Sequence, residues 1–179
     1  MISAYLLGAR ILQQPALETM ALRALDWLCE HMVYRDGSMY HYSLNGQSGL
    51  PGQLADQMWM ARALLDAYEL HEQRRYLDTA IALMHSACQE LLDEPTGLFY
   101  DYPENLQTEG RLAVREQPLV ENALAAECLL RMAAHSKRQN LYTIGVRVLA
   151  GCVEQYRHTG IQGATYACVV AEAIENSWI

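Results

Sequence analysis

The sequence predicts an all-α protein, an arc of helical hairpins from an (α/α) toroid, and three observations carry that prediction. Two segments are copies of one another: Pro15-Ala16-Leu17 through Asp36-Gly37-Ser38-Met39-Tyr40-His41-Tyr42, and Arg75-Tyr76-Leu77 through Thr96-Gly97-Leu98-Phe99-Tyr100-Asp101-Tyr102. Leu17 lies 60 residues before Leu77 and Gly37 lies 60 before Gly97, with tyrosines three and five positions after each glycine. Repetition at such a period means stacked supersecondary units. Apolar positions also follow helical periodicity almost throughout. Finally, Ala-rich helices alternate with more amphipathic ones, as when small-residue helices crowd an inner ring and amphipathic helices cover them outside. An open solenoid of helical pairs recurs at about 34 to 47 residues; the longer unit here leaves room for an extended arm after each outer helix.

Each element can be placed in order. Residues 2–13 form a first amphipathic stretch that starts at Ile2 with no N-cap residue, as though the helix were entered in its middle. Pro15, at an N1-type position, opens a second helix to about Val33, with Leu17, Met20, Ala21, Ala24, Leu25 and Leu28 on its buried face. Asp36-Gly37 ends it, and Met39 to Ser43 alternates as a strand or extended arm. Gly49-Leu50-Pro51-Gly52 reads as a linker into a third helix, Leu54 to His71, followed by a fourth, Arg75 to Leu92. A second arm covers Gly97 to Tyr102, and the polar stretch from Pro103 to Gln117 reads as the longest loop. A fifth helix runs from Val120 to His135 and a sixth from Asn140 to Tyr156; His158-Thr159-Gly160 breaks the chain before a last helix, Ala164 to Asn176. The result is about three and a half hairpins with short extended arms, read as a single helical-hairpin domain over residues 1–179.

Bulk composition narrows the function. The 179 residues are 51% hydrophobic, enough for a substantial core. A formal charge of −8 argues against nucleic acid, whose binding depends on clustered Lys and Arg. No apolar run reaches the roughly 18 to 20 residues of a membrane span, and Met1 to Leu12 carries Arg10 without a basic leader, so no secretory signal is read there. Five scattered cysteines, Cys29, Cys88, Cys128, Cys152 and Cys168, with no C-x-x-C pair, read as buried reduced thiols in a cytoplasmic protein. No metal site and no cofactor is expected: the sequence has no H-x-x-x-H, no Gly-rich phosphate loop and no G-x-S-x-G elbow.

Several runs carry a family resemblance: Met1-Ile2-Ser3-Ala4-Tyr5, Leu50-Pro51-Gly52-Gln53-Leu54-Ala55-Asp56-Gln57, the Tyr76-Leu77 repeat, Pro118-Leu119-Val120-Glu121-Asn122-Ala123-Leu124-Ala125-Ala126, and Gly163-Ala164-Thr165-Tyr166-Ala167. Over nearly the whole chain they resemble the C-terminal helical region of the DUF255 thioredoxin-domain-containing proteins, of the YyaL type. The resemblance implies a six-hairpin glycosidase-like toroid similar to N-acylglucosamine 2-epimerases, and hence carbohydrate-active ancestry. It also implies that this chain is the C-terminal part of a larger toroid. A family aspartate pair stands here as Ala55-Asp56, a departure that bears on any two-carboxylate mechanism at that point.

In a toroid the arms lie at the same end as the inner-helix N-termini, where unsatisfied backbone N–H groups meet arm side chains. That funnel gathers Tyr40, His41, Gln57, Trp59, Tyr100, Arg115, Asn122 and Tyr166 as sugar-binding candidates, because aromatic faces beside amides and charged groups suit a sugar. Asp56 and Glu121 are the candidate catalytic carboxylates, since glycosidases need one protonated and one ionised. An acid in a helix's first turn also suits a cap or dipole partner. Of the histidines only His41 falls at the funnel, where an epimerase would need an acid or base. The competing function is a non-catalytic helical scaffold. In either case uncovered flanks at the ends of the arc predict a homo-oligomer or association with a missing N-terminal half.

Overall fold

The computed structural model describes residues 1–34, 36–104, 106 and 114–179. Of the expected loop Pro103–Gln117, residues 105 and 107–113 lie outside the described residues. Eight α-helices are present among the described residues: α1 (Ile2–Leu12), α2 (Pro15–His31), α3 (Leu54–His71), α4 (Arg74–Glu90), α5 (Leu119–Ser136), α6 (Gln139–Gly151), α7 (Val153–Thr159) and α8 (Ala164–Glu175). None of them is long and apolar enough to cross a membrane. Consecutive hairpins α1–α2, α3–α4 and α5–α6 pack side by side, and α1, α3, α5 and α8 form a continuous inner row. This is the layering that the alternation of small and amphipathic helices predicts. The core runs along that row: Leu64, Leu65, Ala123, Leu124, Leu129 and Met132 are inaccessible to solvent.

The inner helices α1, α3 and α5 end alike. Gln13, Glu72 and Lys137 each sit in the left-handed region, with φ of 53°, 53° and 58°, and donate a backbone N–H four residues back. One extended residue, Gln14, Gln73 or Arg138, then turns directly into the outer helix. At this far end every hairpin uses the same two-residue joint. The opposite end carries the long connections, where the repeat reappears. Gly37 and Gly97 both adopt positive φ, 90° and 74°. The isolated bridges Val33↔Met39 and Leu92↔Phe99 then fold each arm back on its outer helix. A side chain at Gly37 would stand 2.9 Å from the Ala82 carbonyl, which explains why glycine recurs there.

Three expectations are corrected. The linker Gly49–Gly52 is not a linker: β2 (Gln47–Pro51) pairs antiparallel with β1 (Tyr40–Leu44), Leu44 facing Gln47. Asn45-Gly46, with φ of 51° and 77°, turns the chain, the pair of left-handed residues that a tight two-residue hairpin needs. The expected sixth helix is interrupted at Cys152, where Gly151 lets Leu98 and the Thr96 carbonyl of the second arm come close; a Cβ there would lie 2.9 Å from Leu98. Met20, expected on the buried face of α2, is 58% exposed, and only Ala21 and Leu25 of that face are fully buried. Gly160, with φ 59° and ψ −135°, breaks the chain as expected and opens a short 3-10 turn to Gly163.

Of the thiols, Cys128 and Cys152 are buried, Cys29 and Cys88 are half-buried, and Cys168 is exposed, against expectation. Burial pushes Cys29 and Cys88 up to about 11 and Cys152 to about 12. Those three therefore stay protonated thiols near neutral pH.

Candidate functional site

The arms satisfy helix starts that lack caps. None of the N-cap residues Gln53 and Pro118 makes a side-chain cap bond, and the Leu54 N–H donates instead to the Asp101 carbonyl at 2.9 Å. Asn122, fully buried, accepts from the Phe99 N–H at 2.7 Å and donates to the Phe99 and Pro118 carbonyls, each at 2.9 Å. Its amide thus pins the second arm. Gln57 stands at the matching place in α3 and donates to the Gly52 carbonyl at 3.1 Å, while its own carbonyl oxygen is buried without a partner among the described residues. Both amides were candidates for a ligand; both face backbone. Tyr166 likewise lies in the core, donating to the Leu149 carbonyl at 3.1 Å beside the Tyr156 ring.

Arg115 and Tyr100 meet each other: the guanidinium lies 4.0 Å from the ring centroid, and its Nε donates to the Tyr102 carbonyl at 2.8 Å. Tyr40 sits edge-on to Tyr34 with centroids 5.3 Å apart. These contacts hold arms in place, with the cation over the ring face adding electrostatic attraction.

Asp56 behaves differently. It caps nothing; its Oδ2 is 2.8 Å from His41 Nδ1, joining the first turn of α3 to β1. The imidazole is 48% exposed and the carboxylate 23%, so both are reachable. Trp59, one helical turn on, is 49% exposed on the same face, with Arg62 over its ring at 5.8 Å. Glu121, in the corresponding turn of α5, makes no ion pair among the described residues and is half-buried. Asp56 and Glu121 thus hold matching positions in the first turns of the neighbouring inner helices α3 and α5, and of the two only Asp56 lines the cleft described next.

Beside Asp56 and Trp59 opens a cleft of about 750 Å³. The N-terminal turn of α1 floors it, Ala24, Trp27 and Leu28 of α2 form the outer wall, and Asp56, Trp59, Met60 and Ala63 of α3 form the other; Met39 of the first arm closes one end. His31 stacks flat on Trp27 at 4.7 Å and 11°. Asp56 is the one side-chain carboxylate among the described lining residues, which are mostly methionine, alanine and aromatic with Ser3 beside them.

A second charged cluster lies deeper along the α3–α5 seam. Arg131, 5% exposed, grips Glu69 with Nε at 3.1 Å and Nη2 at 2.9 Å, and also reaches Asp66 at 2.6 Å and Glu127 at 3.0 Å. Arg62 approaches Glu127 at 3.4 Å, and His135 Nε2 lies 2.9 Å from Glu69. Desolvation raises the Glu127 carboxyl, which is 1% exposed, above its ordinary range despite two guanidinium neighbours. The more exposed Glu69 moves the opposite way, because Arg131 and His135 outweigh its burial cost. Sequence reading missed this cluster, although Arg62-Asp66-Glu69 and Glu127-Arg131-His135 recur at helical spacing. It also missed Trp27 and Met39, whose helical and arm positions carry no chemical mark.

The chain folds as part of an α/α toroid. It superposes on a family 76 glycoside hydrolase from a bovine Bacteroides thetaiotaomicron strain with a TM-score of 0.69 and 15% identity, over 85% of this chain and 33% of that one. An unsaturated glucuronyl hydrolase from Bacillus sp. GL1 gives a TM-score of 0.66 at 18% identity, over 84% of this chain and 43% of that one. Cellobiose 2-epimerase from Bacillus thermoamylovorans gives 0.67 at 14%, over 83% and 41%. This chain therefore spans less than half the length of each. No protein-family model matches it, and no curated protein does. Carbohydrate-active proteins are thus what the fold is similar to, at identities that speak for the fold alone.

Proposed function

We propose that this chain is a carbohydrate-binding unit of an α/α toroid, with a glycosidase-like or sugar-epimerase-like site at its arm end. The single observation carrying the reading is the Asp56–His41 pair, 2.8 Å apart and open to solvent, one helical turn from the exposed face of Trp59. A carboxylate that orients an imidazole gives a proton donor or acceptor near neutral pH. An aromatic face beside it is the apolar platform on which a sugar ring stacks. In this reading Glu121 supplies a second carboxylate from α5, and the chain derives from a DUF255-type helical region in a cytoplasmic protein.

Titration calorimetry against neutral and uronic mono- and disaccharides tests it. Trp59→Ala and Asp56→Asn should each weaken binding about tenfold or more, with His41→Ala following Asp56→Asn; saccharide binding unchanged in all three sinks the reading. The scaffold reading keeps one observation of its own: Leu7, Ile11 and Leu12 on α1 and Ile174 on α8 are 50%, 67%, 61% and 61% exposed at the two ends of the inner row. Under that reading the chain self-associates at micromolar concentration through those faces, which light scattering would detect.

A further inference from the structure

The two arms are built alike but gripped differently by the inner helices that follow them. Their bridges match bond for bond: Tyr34 N–H to the Ser38 carbonyl and Tyr40 N–H to the Met32 carbonyl in the first arm, Asp93 N–H to the Leu98 carbonyl and Tyr100 N–H to the Leu91 carbonyl in the second. Met39 therefore corresponds to Phe99. Gln57 and Asn122 correspond as well, each the fourth residue of its helix with its N–H on the carbonyl of the N-cap, Gln53 or Pro118. In the second arm the bridge leaves the Phe99 N–H unused, and Asn122 Oδ1 takes it at 2.7 Å. In the first arm it leaves the Met39 N–H unused, and that group donates to nothing among the described residues, although Met39 is buried.

The matching acceptor is idle too. Gln57 is inaccessible to solvent, and its Oε1 has no partner among the described residues. Exchanging the two ends of its amide brings no relief: Nε2 donates to the Gly52 carbonyl at 3.1 Å, and an oxygen in that place would face another oxygen. One buried donor and one buried acceptor are thus unpaired at the two positions that bond to each other in the second unit, and each is unfavourable. Gly52 links them indirectly, donating its N–H to the Met39 carbonyl at 2.9 Å while accepting from Gln57. The side-chain grip runs the opposite way. Asp56, just before Gln57, holds His41, two residues past Met39, whereas the corresponding Glu121 and Asp101 are both acids.

We infer that Gln57 is a positioning residue for the His41–Asp56 pair: the first arm has a second, closed position in which Gln57 Oε1 accepts from the Met39 N–H, as Asn122 does from Phe99, and seats His41 on Asp56. The bridge bonds need not break, since the second arm keeps the same two with its amide bond made. Glutamine, one methylene longer than asparagine, has the reach. The first turn of α3 then holds alternate residues of the arm, Met39 by an amide and His41 by a carboxylate. This deepens the sugar reading and rests on it for the use of His41; the closure itself needs no saccharide.

The test is amide-proton relaxation dispersion on the 15N-labelled whole chain, which detects minor positions exchanging in microseconds to milliseconds. Exchange is expected at Met39, Tyr40 and His41 and not at Phe99 or Tyr100, with the minor-state Met39 proton shifted downfield, as a newly formed hydrogen bond requires. Gln57→Met, which keeps the side-chain length and loses the acceptor, should abolish that exchange while far-ultraviolet circular dichroism stays unchanged; if it misfolds, Gln57→Leu serves instead. A flat profile at Met39 in the wild type, exchange that persists in the folded variant, or cross-relaxation from a water held between Met39 and Gln57 overturns the proposal. Saccharide calorimetry keeps the two readings separable: exchange without sugar binding leaves the closure and removes the sugar, and sugar binding with a flat profile does the reverse.

Discussion

The seam between α3 and α5 and the seam between α1 and α3 are two versions of one inner-helix contact. In the α3–α5 seam small residues such as Ala123, Ala125 and Ala126 are sealed, an amide pins the arm by three hydrogen bonds, and Arg131 ties together three carboxylates. The cleft bounded by α1, α2 and α3 has no such ion cluster among its described residues; Met20, Met39, Met60, Trp27 and Trp59 line it and it stays open. The lesson is that one repeat unit can serve either stability or access. Large, soft side chains mark the seam left open, and small ones mark the seam that closes.

Breaking the closed seam should cost most at Arg131. Arg131→Ala leaves Glu127, 1% exposed, without its closest countercharge, and such a loss typically costs about 3–5 kcal/mol; urea denaturation measures it, and a loss below about 1 kcal/mol would mean that the cluster does not hold the seam. Next comes the amide pair. Asn122→Ala strands both backbone groups of Phe99 and should cost about 2–3 kcal/mol, whereas Gln57→Leu removes one hydrogen bond together with an unpartnered buried oxygen and should come within about 1 kcal/mol of neutral. Equal losses at the two would erase the distinction between the arms.

Exchanging side chains between the units sharpens the comparison further. Ala80→Met overpacks a site with no accessible surface and should destabilise by about 1–3 kcal/mol, while Met20→Ala in the open unit should stay within about 0.5 kcal/mol. The smallest effect is one of acidity. Because Glu69 ionises below its ordinary 4.5 when folded, the stability it adds is present above that pH and fades as pH falls through the lowered value. Glu127 works in the other direction: its raised folded value adds stability in acid that disappears as pH climbs past it. The stability difference between wild type and Glu69→Gln should therefore shrink below about pH 4.5, and a difference that grows in acid would reverse the assignment.

Much of the fold was legible because repetition and period survive in sequence. Helix starts at Pro15 and Leu54 and the glycine turns at Gly37 and Gly97 are local facts. The β hairpin was missed although Asn45-Gly46 marks it, because its flanking residues lack strong alternation: its second strand is Gln47-Ser48-Gly49-Leu50-Pro51, and all but Gly49 there are exposed. The site was legible only in part. Helical phase placed Asp56, Trp59 and Glu121 at the arm end, and proximity of the arm made His41 a candidate. Phase could not say which polar groups the backbone would claim, so Asn122, Gln57 and Tyr166 looked available until the arms were folded onto them. The cleft was invisible for a related reason: its lining comes from α1, α2, α3 and the first arm, which only the fold brings together.

The matched two-residue joints at Gln13, Glu72 and Lys137 have a consequence for how such a molecule can change. They fix one rim: inserting or deleting a residue there would rotate an outer helix against its partner and misalign every ridge along the pair. The other rim is joined by residues 32–53 and 91–118, which already differ in length; among the described residues only the first includes a hairpin. Sequence drift can therefore rebuild one mouth of the arc freely while the opposite mouth stays constant, so that new recognition arises on a frame that does not have to be reinvented.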